Sequence, residues 1–132
     1  MTTAPFELSR IISDIDFLKK TDCPCELDEF TMKLLRWHET KESEPEPELG
    51  TIGILQLYII DVIGWASAKI RLPITVVASK PKGCVLWIWE IGKVYSDGSE
   101  SEIYEIEMAF TPIAAYTDLL HAVCDILRKQ ND

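Results

Sequence analysis

Basic residues are scarce in this 132-residue sequence: 13 lysines and arginines stand against 22 acids, a formal charge of −9. Such a chain repels a phosphate backbone unless its bases cluster, and only Lys69, Arg71, Lys80 and Lys82 share a neighbourhood. That is too thin for a nucleic-acid footprint. Glycines are few and scattered, with no glycine-rich run leading into lysine and serine or threonine, so a phosphate-cradling loop is excluded. Histidine is limited to His38 and His121. No basic stretch precedes an apolar core after Met1, so no secretory signal is visible. The longest apolar run, 51–68, is interrupted by Gln56 and Asp61. Both are costly in hydrocarbon, and the run is read as a buried element rather than a membrane span. The expectation is a cytoplasmic protein with reduced cysteines, no cofactor, and neither nucleic acid nor membrane among its partners.

What is present suits one globular domain over 1–132, since an apolar share of 47% supplies a core without staples at this length. Leu8, Ile11, Ile12, Ile15 and Leu18 recur at helical spacing, with Pro5 and Glu7 before them and Lys19 and Lys20 at the end. This predicts a first helix. Pro24 opens a second, through Leu27, Phe30, Thr31, Leu34 and Trp37 or His38, giving an N-terminal helical hairpin. Residues 41–50 form an acidic, proline-containing connector in which Glu42, Glu44, Glu46 and Glu48 repel one another.

The β-branched residues of 51–63 favour a strand, although the same run fits a wholly buried helix over 50–69. Alternation from Ala68 to Val76, interrupted by Pro73, predicts a second strand at an edge or bulge. Residues 84–95 predict a third, with the hairpin signal Ser96-Asp97-Gly98-Ser99 after it. In a fourth strand, Tyr104, Ile106, Met108 and Phe110 are expected to face the core and Ile103, Glu105 and Glu107 solvent. Thr111 and Pro112 then start a final helix with an inward stripe of Ile113, Tyr116, Leu120, Val123 and Leu127. The expected class is α+β: a helical hairpin, a four-stranded, mainly antiparallel sheet, and a C-terminal helix packed on it.

Signals for chemistry are weak. Cys23 and Cys25 are the only closely spaced cysteines and the only candidates for metal ligands, but a structural site wants a second pair or histidines at matching spacing. Cys124, His121 and Asp118 share one helix and make a triad on paper, with no oxyanion donors in view. Asp61 is the most anomalous acid, set within an apolar run. Trp87 and Trp89 share one face of their strand, and an exposed aromatic pair on a sheet is a common basis for a binding hot spot.

The sequence therefore reads as a binding protein rather than an enzyme. It predicts a small acidic module, with an inhibitor, immunity-like, adaptor or chaperone role, that acts on a basic protein partner through Trp87, Trp89, Glu102, Glu105, Glu107, Glu44 and Glu46. The alternatives are an assembly subunit forming a homo-oligomer, favoured by the double-sided apolar run at 51–63, and a small-ligand binder or enzyme with a pocket between sheet and helices.

Overall fold

The computed structural model describes residues 7–40, 49–80, 83, 85–92 and 103–130. The element order is α1 (Leu8–Lys19), α2 (Glu29–Thr40), α3 (Leu49–Ile70), β1 (Ile74–Ser79), β2 (Leu86–Gly92), β3 (Ile103–Ala109) and α4 (Pro112–Gln130). The N-terminal helices and the C-terminal helix against a sheet are as the sequence predicts. The four-stranded sheet is not. Among the described residues three antiparallel strands in the order β1-β2-β3 form it, and residues 51–63, expected as the first strand, belong to α3.

Strand propensity in β-branched residues reports how a side chain fits a pleated, half-buried surface, and tertiary context overrides it readily. Here Leu55, Tyr58, Ile59, Val62, Ala66 and Ile70 are the buried positions of α3, at the three- and four-residue steps of a helix. The helix continues through Ala68 and Ile70, which alternation assigns to a second strand. It ends where Arg71 takes a left-handed φ of 61°, followed by Pro73, which cannot prolong a helix. Ser67 Oγ donates to the Leu72 carbonyl at 2.7 Å, and the Gly92 amide donates to that of Pro73 at 2.7 Å. The helix end is thereby tied to the sheet.

Asp28, not Pro24, sets the start of α2. Its carboxylate accepts from the Thr31 amide at 2.9 Å and from Thr31 Oγ1 at 2.7 Å, satisfying an amide that the first helical turn leaves unpaired. Thr31, Met32 and Leu35 are its buried residues, whereas Phe30 and Trp37 are exposed.

The central element is α4, which touches α1, α3, β2 and β3. Leu119, Leu120, Val123 and Cys124 have no exposed surface, while Asp118, His121 and Asp125 on the remaining side are half-buried. The helices lie on one face of the sheet. Strand register then decides what points toward them. Val76, Trp89 and Glu107 form one rung, and Ala78, Trp87 and Ala109 the next. Trp89 is 2% exposed, and Trp87 packs half-buried against the same core.

At Met108 and Phe110 the expected facing of the last strand is overturned, while Glu107 is exposed as expected. Ala109 is buried, while Met108 and Phe110, predicted to face the core, are 63% and 82% exposed. Pairing with β2 is the cause: once Trp89 and Ile91 enter the core, the residue opposite Trp89, Glu107, shares their side and Met108 falls on the other. A register irregularity at Ile91/Gly92 accompanies this, with Gly92 at a φ of 85° that favours glycine. Of the connector expected over 41–50, Leu49 and Gly50 belong instead to α3, and residues 41–48, the turn expected at 96–99 and the side chains of Tyr104 and Ile106 lie outside the described residues.

Candidate partner-binding surface

The helix-free face of the sheet carries an apolar rung, Val77–Ile88–Met108, that crosses all three strands. Val77 is 53% exposed, and Phe110 extends the patch just beyond β3. The polar rung beside it holds Thr75 and Glu90, in which Thr75 Oγ1 donates to Glu90 Oε1 at 3.2 Å. Alternation along each strand places these residues together, because odd and even positions project to opposite faces.

The residues expected to bind a partner are divided by this arrangement. Trp87 and Trp89 share one face, but it is the face the helices cover, so neither is a free aromatic anchor. Glu107 is exposed at the β3 edge, and Glu105 is registered opposite Ile91. Glu102, Glu44 and Glu46 lie outside the described residues. Sequence reasoning missed Val77, Met108 and Phe110 as a surface because their pattern is that of a core strand. A second apolar groove, of about 440 Å3, lies along α2 between Phe30, Lys33, Leu34 and Trp37.

The triad on paper does not assemble. Asp118 pairs with Arg10 at 2.6 Å, and His121 turns to Asp14 instead, with Nδ1 at 3.1 Å from Oδ2. Arg128 Nη2 donates to Asp14 Oδ1 at 3.1 Å and Nη1 to Asp125 Oδ1 at 3.2 Å. The guanidinium also lies 4.6 Å from the Phe17 ring centroid. Burial, then the Asp14 charge, push the Cys124 thiol well above its ordinary pKa, so it has no thiolate to offer as a nucleophile at neutral pH. This cluster clamps α1 to α4. Among the described residues Asp14 is the buried acid, 1% exposed, whereas Asp61 stands exposed on α3. A signal for Asp14 was present: it sits between Ile11 and Leu18 on the apolar stripe of α1.

Cys23 and Cys25 line a cleft of about 390 Å3 with Lys19, Glu26, Glu29 and Tyr58. Burial and then the neighbouring Cys23 push the Cys25 thiol up to about 11. Among the described residues no three histidine, cysteine, aspartate or glutamate side chains converge in a way that could hold a metal ion. The chain matches no family model, and no curated protein or solved structure is significantly similar to it.

Proposed function

We propose that this protein is a small protein-binding module whose docking surface is the helix-free face of its sheet, and whose partner presents an apolar centre within a basic rim. The supporting observation is the exposure of Met108 and Phe110 on a strand whose alternation suits them for burial. Contiguous exposed apolar side chains on a folded domain mark contact surfaces, and methionine and phenylalanine are enriched at the centres of interfaces. The −9 charge favours a basic partner by speeding encounter and repelling acidic competitors. Inhibitor, immunity-like, adaptor and chaperone roles all use this chemistry. A catalytic reading has less support, since Asp14, His121 and Arg128 are engaged with one another.

The test is capture from native lysate with wild-type protein and with Met108→Asp, each at low and high salt. The reading expects a stoichiometric protein of basic pI that high salt weakens and Met108→Asp releases. Capture of the same proteins by both forms, or of acidic proteins alone, would overturn it.

A further inference from the structure

The segment joining α1 to α2 holds two thiols side by side. Pro24 fixes its own φ and keeps the residue before it extended, and an extended backbone turns alternate side chains the same way. Exposure follows that alternation: Asp22, Pro24 and Glu26 are exposed, whereas Cys23, Cys25 and Leu27 turn toward the core. The two thiols are neighbours. After burial, the strongest influence on Cys25 is Cys23, by charge and by a side-chain hydrogen bond. Both are free cysteines, and each keeps part of its surface in solvent.

Both ends of the segment are tied down. At one end the Cys23 amide donates to Thr21 Oγ1 at 3.2 Å, that hydroxyl donates to the Leu18 carbonyl at 2.6 Å, and Asp22 pairs with Lys69 of α3 at 2.5 Å. At the other, Asp28 caps α2. The thiols are therefore placed by the fold before any ligand arrives, and little ordering entropy remains to be lost on binding. They open into the cleft of about 390 Å3 that Lys19, Glu26, Glu29 and Tyr58 also line.

The chemistry of the pair selects its ligand. Zinc in a structural site takes four ligands, and among the described residues no three suitable side chains converge to begin such a set. Calcium and magnesium take oxygen. Monovalent copper is soft, prefers thiolate, and is satisfied by two thiolates in a line. From this geometry we propose that Cys23 and Cys25 bind one Cu(I) ion as a two-thiolate site. Two copper–sulfur bonds form, two thiol protons pass to solvent, and no oxidation state changes. The complex carries one net negative charge, which the Lys19 ammonium on the cleft wall complements. Asp61, whose charge acts on Cys25, opposes a bare pair of thiolates and favours a cation between them. Because the cleft is open, a thiolate from another molecule can reach the ion, which suits transfer rather than permanent storage. Helices and their connection build this cleft, so the inference is independent of the sheet-face reading.

The experiment is an anaerobic competition for Cu(I) at neutral pH between the reduced full chain and bicinchoninate, read by the absorbance of the chelator complex. The wild type withdraws one equivalent of copper. Cys23→Ser and Cys25→Ser each weaken this at least about hundredfold, since loss of even an outer partner of a metal ligand costs about 10–100-fold in affinity. Cys84→Ser and Cys124→Ala leave the competition unchanged, which separates this pair from the other two thiols. X-ray absorption of the loaded protein shows two sulfur neighbours per copper. A wild type that withdraws no copper, full retention of copper by either Cys23→Ser or Cys25→Ser, or displacement of the bound copper by equimolar Zn(II) would each overturn the inference.

Discussion

Trp89 and Glu107 stand opposite each other across β2 and β3, and that pairing fixes which side of the sheet meets the helices. The indole fills the core while the carboxylate, on the same face but at the sheet edge, remains exposed. Met108, one residue along, is thereby turned out.

Substitutions at the two faces should differ sharply. Trp89→Ala removes a side chain that is 2% exposed and should cost about 3–5 kcal/mol, the range for emptying an aromatic site in a core. Met108→Asp should change stability by less than about 0.5 kcal/mol, as surface changes do. Urea denaturation of the two variants measures the contrast.

Asp14→Asn should destabilise the chain by about 3 kcal/mol, near the lower end for breaking a buried ion pair, because the His121 and Arg128 side chains are each 34% exposed and recover some hydration. A smaller loss is expected for His121→Gln, which leaves the Arg128 contact in place. A double-mutant cycle by chemical denaturation separates the two contributions.

Arg71→Gly should raise stability by up to about 1 kcal/mol. The φ of 61° at Arg71 costs a side chain roughly 1–2 kcal/mol, of which part is returned because glycine has more freedom to lose on folding. Thermal unfolding at one pH and one protein concentration reads the shift.

Asp28 gives a pH signature. The Thr31 amide, and then its hydroxyl, stabilise the carboxylate and hold it below the ordinary value of 3.8. A depressed carboxylate contributes stability that is present above its unfolded pKa and lost as pH falls through the folded one. The contribution of this cap is therefore complete at pH 5 and above and disappears below about pH 4. Asp28→Asn keeps a capping oxygen and should flatten this part of the stability profile between pH 5 and 2. An unchanged profile would remove Asp28 from the account.

The sequence by itself determined the α+β class, the existence of α1 and α4, and the strand character of 86–92 and 103–109. In α1, α4 and 103–109, apolar and polar positions contrast strongly enough to display a period of 3.6 or 2, whereas 86–92, apolar but for Glu90, is marked by its tryptophans and isoleucines and its short length. The contrast disappears in α3, where the outward residues Ile54, Leu57 and Ile60 are as apolar as the inward Leu55, Ile59 and Val62. With no polar face to mark the turns, β-branched composition points to a strand, and only packing against α4 and its neighbours decides for a helix. Alternation in β3 shows two unlike faces but not which one is covered. That choice rests on pairing with β2, where the bulk of Trp89 takes the core. The partner of His121 was equally a tertiary matter: Asp14 lies 107 residues away in sequence, and only the contact of α1 with α4 brings the two side chains together.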